Sequence, residues 1–198
     1  MKKKVVLGIT GSVASVLVLK IADSLIKAGY EVKIVATMPS LYFLPTMLEK
    51  GADGGQYIKT KEMNRVEVFL DKDEWPEGGY HKGDPVRHIE FRTETDILLI
   101  APLSANTLAK ITYGFADNFL SCIVRAWPKH KPLILAPAMN TEMWEDPITE
   151  EQLIALGRRF KALEVVDPAD KNLACGDSGK GAMANIDEIV KVVNKYRD

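Results

Sequence analysis

The two cysteines of this sequence lie in contrasting surroundings. Cys175 is part of the glycine-rich stretch ACGDSGKG (174–181), where a thiol can reach a bound ligand if it is exposed and its pKa is tuned. Cys122 lies in the apolar run FLSCIV (119–124), which is typical of a buried helix. We therefore predict that Cys175 can do chemistry and that Cys122 belongs to the core.

His88 and Asn140 are the other side chains that suit proton transfer or carboxylate binding. His88 follows a second glycine-rich stretch, and an unperturbed imidazole titrates near physiological pH. Asn140 comes directly after the apolar segment LILAPAM (133–139), and its amide can donate to a carboxylate. Each has a structural alternative, because a lone histidine is often solvated and Asn140 could simply cap a helix.

The first glycine-containing turn, GITGS (8–12), matches neither the dinucleotide fingerprint nor the P-loop, which disfavours a dinucleotide or a triphosphate. Gly11 and Ser12 still offer N–H groups and a hydroxyl at the start of a predicted helix, which suits one phosphate. Thr37 and Ser40 follow the next predicted strand and would add hydroxyls. Together these residues favour a mononucleotide over a plain turn.

The elements that position these residues are predicted from hydrophobic pattern. Continuous apolar runs are typical of strands buried on both faces. Such strands are predicted at 5–10, 31–37, 96–101 and 133–136. One further strand is predicted near 65–70, where apolar residues alternate, and a short final strand at 164–166. Helical periodicity lies between them, with candidate N-caps at Ser12, Ser104, Asp117, Thr149 and Asn185.

This alternation predicts one α/β domain over 1–198, a three-layer Rossmann-like sandwich with a mostly parallel sheet. Ligands of such sheets bind beyond the carboxyl ends of the strands, which is where the polar residues above lie. The segment 50–87 is polar and rich in glycine, and we expect surface loop there apart from one strand.

Composition excludes several classes of protein. The 198 residues include 26 basic and 27 acidic ones, so nothing favours nucleic acid or an anionic membrane as partner. The longest apolar runs are too short to span a bilayer. Two cysteines cannot form a disulfide framework. We expect a cytoplasmic protein with no metal site.

Six stretches of the sequence together resemble the homo-oligomeric flavin-containing cysteine decarboxylases. They are GITGSVAS (8–15), GDPVRHIEF (83–91), APLSANTLAKI (101–111), ADNFLSCIVRAW (116–127), PAMNTEMW (137–144) and LACGDSGKGAMA (173–184). The resemblance implies a Rossmann-like enzyme of coenzyme A biosynthesis, usually a homotrimer, with FMN near a subunit boundary. It implies 4'-phosphopantothenoyl-L-cysteine as substrate, and 4'-phosphopantetheine and CO2 as products.

The resemblance also implies the site residues. His88 would act as base or proton carrier, Asn140 would hold the substrate carboxylate, and Cys175 would donate a proton when the enethiol intermediate is reduced. Met143 and Ala174 would contact substrate beside Asn140. The residues implied for FMN are Gly11, Ser12, Val13, Thr37, Ser40, Ser104, Ala105, Asn106, Thr107, Ala138 and Met139.

The sequence departs from the family pattern at two places. Arg92 is followed by Thr93, where close members commonly carry a second arginine, so the residues that bind the substrate phosphate stay unassigned. The segment 50–80 matches only at Asp73-Glu74-Trp75. Two alternatives remain: a decarboxylase acting on the C-terminal cysteine of a peptide, and a non-catalytic flavoprotein that regulates a phosphatase. A nucleotide-binding domain without flavin is a third, weaker one.

Overall fold

The structure is a computed structural model of the chain, and it describes residues 2–44, 47–59, 65–172 and 178–197. Strands and helices alternate through most of this length. The strands are β1 (Lys4–Ile9), β2 (Glu31–Ala36), β3 (Leu48–Lys50), β4 (Gln56–Lys59), β5 (Arg65–Phe69), β6 (Ile97–Leu103), β7 (Leu133–Pro137), β8 (Leu163–Val165), β9 (Ala169–Asn172) and β10 (Ser178–Ala182).

A 3-10 helix (Val13–Leu17) runs directly into the first α-helix. The α-helices are α1 (Val18–Lys27), α2 (Met38–Leu41), α3 (Asp71–Glu74), α4 (Arg87–Glu94), α5 (Ala105–Tyr113), α6 (Phe119–Ala126), α7 (Thr141–Glu145), α8 (Pro147–Arg159) and α9 (Ile186–Asn194). None of the helices within the described ranges has the length and apolar character needed to cross a membrane.

Eight of the described strands form one sheet in the order β3-β4-β5-β2-β1-β6-β7-β8. The six strands from β5 to β8 in this order are parallel, and β3 and β4 add an antiparallel edge. The chain moves outward from β1 through β2 to β5, then returns to β6 on the other side of β1. The strand order therefore reverses between β1 and β6, and the crevice at their carboxyl ends is where sheets of this kind bind ligands.

Side chains of β1 alternate between two hydrophobic clusters, as the pleat of a strand requires. Val5 and Leu7 pack with α1 and α9, whereas Val6 packs with α4, α5, α6 and α8 on the other face. The sheet is thus covered on both faces, which confirms the predicted three-layer α/β sandwich.

The segment 50–87 contains more regular structure than the sequence predicts. β5 confirms the strand expected near 65–70, but β4, α3 and the first residue of α4 also lie in the segment. The strand expected at 164–166 is β8, which is not the last, because the hairpin β9–β10 follows it. The expectation of surface loop is confirmed for 51–55 and 75–86, and it was wrong where β4 and α3 lie. The expectation that β8 is the final strand was wrong as well.

Two predicted helix caps were also wrong, although those at Ser12 and Ser104 are confirmed. The cap of α6 is Asn118, whose side chain accepts from the Ser121 N–H at 2.8 Å, not Asp117. The N-cap of α8 is Asp146, and Pro147 occupies the first helical position. Proline suits this position because the N–H that it lacks would have no partner within the helix. Thr149 is instead buried, and its hydroxyl donates to the Met143 carbonyl at 2.6 Å.

Candidate active site

Thr10 ties together the ends of the two strands at which the strand order reverses. Its buried hydroxyl donates to the Pro102 carbonyl at 2.8 Å and accepts from the Ser104 N–H at 2.8 Å. Both contacts join residues more than ninety positions apart in sequence. Thr10 is not among the predicted site residues, because a threonine at a strand end gives no sign of its distant partners. The crevice between β1 and β6 therefore has fixed walls.

A cavity of about 120 Å³ lies at this crevice. Its walls come from the carboxyl ends of β1, β2 and β6 and from the first turns of α5 and α6. Five of its eight lining residues belong to the set predicted for FMN. The lining residues are Gly11, Thr37, Pro39, Ser104, Asn106, Thr107, Lys110 and Asn118.

The donor chemistry of this cavity suits the phosphate of a mononucleotide. The helical segment that Ser12 caps and α5, which Ser104 caps, both begin at this edge, and helix N-termini attract anions. The residues after β1 and after β2 can approach each other this closely only because Gly11 has no side chain. A Cβ at Gly11 would lie 2.7 Å from the Cβ of Pro39. The residues present thus fit the phosphorylated end of FMN.

The cavity is smaller than the roughly 300–1,000 Å³ of a typical enclosed ligand site. Apolar side chains at the same strand ends are exposed: Val13 keeps 50% of its surface accessible and Met38 keeps 59%. One chain therefore supplies a site for part of a ligand, with exposed apolar surface near it. We call the residues Gly11, Thr37, Ser104, Asn106 and Thr107 of this site the phosphate cradle.

Not every predicted FMN residue presents its side chain to the cavity. Ser40 is completely buried, and its hydroxyl donates to the Thr37 carbonyl at 2.6 Å inside the turn that starts α2. Ala138 is buried beside the end of β6, where its N–H donates to the Leu103 carbonyl at 2.9 Å. All eleven positions assigned to FMN stay predictions, including these two and Ala105 at the first residue of α5.

Asn140 lies three residues beyond β7, the strand next to β6. It is the N-cap of α7, where its Oδ1 accepts from the Glu142 N–H at 2.8 Å. This contact fixes the plane of the side-chain amide. Met143, on the same short helix, keeps 53% of its surface exposed and so can contact a ligand.

The hairpin β9–β10 docks on the residues around Asn140. The Met139 N–H donates to the Gly181 carbonyl at 3.0 Å. A Cβ on Gly181 would lie 2.4 Å from the Met139 carbonyl oxygen, so this approach requires glycine. Ala174 and Cys175 belong to 173–177, between the two strands, and lie outside the described residues. Their predicted roles stay predictions.

His88 is the second residue of α4 and makes two contacts with Glu74, at the end of α3. The His88 backbone N–H donates to Glu74 Oε2 at 2.8 Å, and Nδ1 lies 2.5 Å from Glu74 Oε1. The Glu74 side chain is only 6% exposed, against 24% for that of His88. Glu74 gave one signal in the sequence, the DEW match at 73–75, but no sign of its partner fourteen residues away.

His88 is not among the residues that line the smaller cavity. A larger cavity of about 540 Å³ lies beside α3, and Glu74, Trp75 and Arg87 are among its lining residues. Because α3 directly follows β5, which is parallel to β2, this cavity lies toward the carboxyl edge of the sheet.

Cys122 is buried in α6, which confirms its predicted place in the core. Burial raises the pKa of its thiol to about 11, and the nearby carboxylates of Glu74, Asp117 and Asp71 add to this shift. The thiol is therefore protonated at neutral pH and is a poor nucleophile.

Comparisons with known proteins agree over nearly the full length. The flavoprotein family model matches residues 1–197. A probable phosphopantothenoylcysteine decarboxylase of Arabidopsis thaliana is 42% identical over 196 residues, which cover 98% of this chain and 89% of the relative. A solved PPC decarboxylase mutant, complexed with pantothenoylaminoethenethiol, is 40% identical with a TM-score of 0.83, and the match covers 99% of this chain and 98% of that one. The FMN binding protein AtHal3 is 40% identical with a TM-score of 0.80, covering 99% and 97%.

Proposed function

The chain belongs to the flavoprotein family, and from this premise we propose that it is an FMN-dependent decarboxylase that converts 4'-phosphopantothenoyl-L-cysteine into 4'-phosphopantetheine and CO2. The observation that carries the proposal is the arrangement of two neighbouring strand ends. β6 ends at the phosphate cradle, β7 leads to Asn140, and the Ala138 N–H joins them through the Leu103 carbonyl. The cavity proposed for the cofactor phosphate and the amide proposed for the substrate carboxylate are thus at neighbouring strand ends.

The chemical difficulty of the reaction is the carboxylate of the cysteinyl group. Direct loss of CO2 leaves a carbanion without an electron sink, whereas oxidation of the thiol creates a C=S group that can take up the electrons. Bound FMN would supply this two-electron oxidation and its later reversal, so that no external oxidant is consumed. Gly11, Ser104, Asn106 and Thr107 would hold its phosphorylated end.

Asn140 orients the substrate. Its Oδ1 is held by the Glu142 N–H, so the amide plane is set before substrate arrives. An amide N–H can bind the departing carboxylate without the lasting neutralisation that a cation gives. The carboxylate is thereby aligned for loss as CO2.

His88 and Cys175 handle protons. His88 accepts the proton released when the thiol is oxidised, and such general bases contribute typically about 10²–10⁴-fold. Cys175 returns a proton in the reductive half, from the segment between β9 and β10. The docking of this hairpin beside Met139 supports a place for Cys175 near the carboxylate site.

Four further expectations belong to this proposal. Residues 1–198 act as one FMN-dependent cysteine decarboxylase domain, the product enters coenzyme A biosynthesis, and the protein is cytoplasmic. The active form is a homotrimer, which the part-formed cradle and the exposed Val13 and Met38 support, since a neighbouring copy would complete the site. Sedimentation should give three times the chain mass of 22.0 kDa.

The proposal is tested with purified protein in two steps. The visible spectrum should show flavin bands, and denaturation should release FMN in a one-to-one ratio with the chain. CO2 release is then measured from 4'-phosphopantothenoyl-L-cysteine and, separately, from a peptide ending in cysteine.

Release from the small substrate alone supports the proposal. Release from the peptide alone would instead identify a peptidyl-cysteine decarboxylase. Flavin-loaded protein without release from either substrate contradicts an enzymatic role and favours the regulatory alternative.

A further inference from the structure

Glu74 makes an unusual pair of contacts for a carboxylate in a polar segment. One oxygen accepts the backbone N–H of His88 at 2.8 Å, and the other lies 2.5 Å from Nδ1 of the same residue. Its side chain is 6% exposed, and burying a carboxylate is costly unless its oxygens are hydrogen-bonded. The two contacts with His88 meet that requirement.

The segment that carries Glu74 is itself anchored. Asp73 Oδ2 accepts the Leu70 N–H at 2.7 Å, which fixes the start of α3 against the end of β5. Asp71 Oδ1 accepts the Phe119 N–H at 2.9 Å, which joins α3 to the first turn of α6. Glu74 therefore contacts His88 from a short helix that is hydrogen-bonded both to the end of β5 and to the first turn of α6.

The far end of α4 is fixed as well. The Lys131 ammonium donates to the carbonyls of Arg92 at 2.9 Å and Thr95 at 2.7 Å, where α4 ends. With Glu74 binding the N–H of His88 at the first turn, the helix that carries the imidazole is held at both ends. The orientation of the ring then depends mainly on the contact at Nδ1.

We propose that Glu74 is a positioning residue that fixes the tautomer and orientation of the His88 imidazole. The inference rests on the proposed function, in which His88 is the base. A carboxylate can only accept, so the neutral imidazole must carry its proton on Nδ1, where it donates to Glu74. Nε2 is then left unprotonated, with its lone pair available to take a proton from substrate.

Glu74→Gln separates this role from simple support. The amide oxygen can still accept the His88 N–H, but the amide nitrogen then faces Nδ1 as a donor. Nδ1 must accept this bond, so the proton of the neutral ring moves to Nε2. The substitution keeps the shape and the backbone contact, and it reverses the tautomer.

The experiment uses FMN-loaded protein labelled with 15N-histidine, at a pH where the imidazole is neutral. Long-range 15N–1H spectra distinguish the two tautomers, and His88→Asn assigns the His88 signals. The wild type should show the Nδ1–H form and Glu74→Gln the Nε2–H form. We expect kcat for CO2 release to fall about 10²–10⁴-fold in the variant, with KM nearly unchanged.

Glu94→Gln is the matched control, because it also replaces a glutamate by glutamine and removes one negative charge. Glu94 is on α4, the helix that carries His88. Glu94 is half-exposed and lies 3.9 Å from the Lys33 ammonium. This variant should keep the Nδ1–H tautomer of His88 and the wild-type kcat.

Three results would overturn the inference. They are a wild type with the Nε2–H tautomer, a folded Glu74→Gln protein that keeps the Nδ1–H form, and a folded Glu74→Gln protein with wild-type kcat. The measurement on the wild type needs no variant, so it decides the matter even if Glu74→Gln fails to fold. Wild-type protein that releases no CO2 contradicts the proposed function instead, and the tautomer still tests the contact.

Discussion

At the scale of single residues, Asn140 has a structural task in the fold and, in the proposed function, a chemical task as well. Its oxygen caps α7, and its amide N–H is assigned to the substrate carboxylate. Aspartate caps helices about as well as asparagine, but it cannot donate. Asn140→Asp should therefore keep the fold and lower CO2 release by at least about 10²-fold, because two carboxylates repel each other. Single-turnover assays and thermal unfolding measure the two effects.

Asn185→Asp is the control for this change. Asn185 is the N-cap residue of α9, where its backbone N–H donates to Glu188 Oε2 at 3.3 Å. The control should leave both stability and rate unchanged within about 0.5 kcal/mol and twofold. A native rate in Asn140→Asp would show that the amide does not hold the carboxylate.

Cys122 provides a pH-dependent prediction. Its raised pKa, about 11 against an ordinary 9.0, favours the neutral thiol in the folded state. At pH 8 the thiolate fraction is then about 100-fold lower than for an ordinary cysteine, before burial slows access further. Disulfide reagents should modify Cys122 only as the pH rises toward 11 or after denaturation. The measurement is the number of thiols modified per chain at pH 8 in native wild type and in native Cys122→Ala. Equal numbers are expected, and one more modified thiol in the wild type would contradict the prediction.

The limits of the sequence are clearest at His88. An imidazole next to a glycine-rich stretch could be selected as a candidate from the sequence. Its partner Glu74 could not, because the contact crosses fourteen positions of irregular, polar chain and follows no periodicity. Thr10 was missed for the same reason, since its partners lie on β6.

At the scale of elements, β10 docks on the residues just before α7, where the Met139 N–H donates to the Gly181 carbonyl. Gly181→Ala would place a Cβ 2.4 Å from a backbone oxygen that cannot move aside easily. The hairpin must shift, while the main sheet, to which it does not belong, stays intact. We expect a folded protein with normal FMN content and CO2 release lowered at least about tenfold.

Gly157→Ala is the control at this scale. A Cβ there meets nothing within 4 Å, and the position is inside α8. Alanine in a helix interior stabilises by roughly 0.5–1 kcal/mol over glycine, so this variant should unfold at slightly higher urea and keep full activity. If Gly181→Ala behaved in the same way, the docking would be irrelevant to catalysis.

Elements were predicted where hydrophobic pattern alone determines them. The parallel strands β1, β6 and β7 are apolar on both faces along nearly their whole length, and β2 is so over its second half, which is typical of strands in the middle of a covered sheet. α4 was missed because Phe91 is its only buried residue within the described chain, so its sequence shows little helical periodicity. β9 and β10 were missed because their residues, ADKN and SGKGA, are not typical of strands.

At the scale of the whole molecule, the strand order explains why distant segments form one site. The chain leaves β1 in one direction and later returns to its other side at β6. Gly11 and Ser104, more than ninety residues apart, therefore line the same cavity. The sequence could predict that polar strand ends meet at one edge of a parallel sheet, but not which two strands enclose the crevice, because strand order depends on contacts between distant parts of the chain.

Ligand binding at this cavity should be linked to the stability of the whole fold. A ligand at 100 times its Kd that binds only the folded state stabilises it by about 2.7 kcal/mol. Gly11→Ala places a Cβ 2.7 Å from the rigid ring of Pro39, so the two strand ends must separate and the phosphate cradle is distorted. We expect Gly11→Ala to be purified with little FMN and to show almost no rise in Tm when FMN is added. Wild type and Gly157→Ala, freed of flavin and reloaded, should both show the full rise. A normal FMN-dependent rise in Gly11→Ala would mean that the flavin phosphate binds elsewhere than at the ends of β1 and β6.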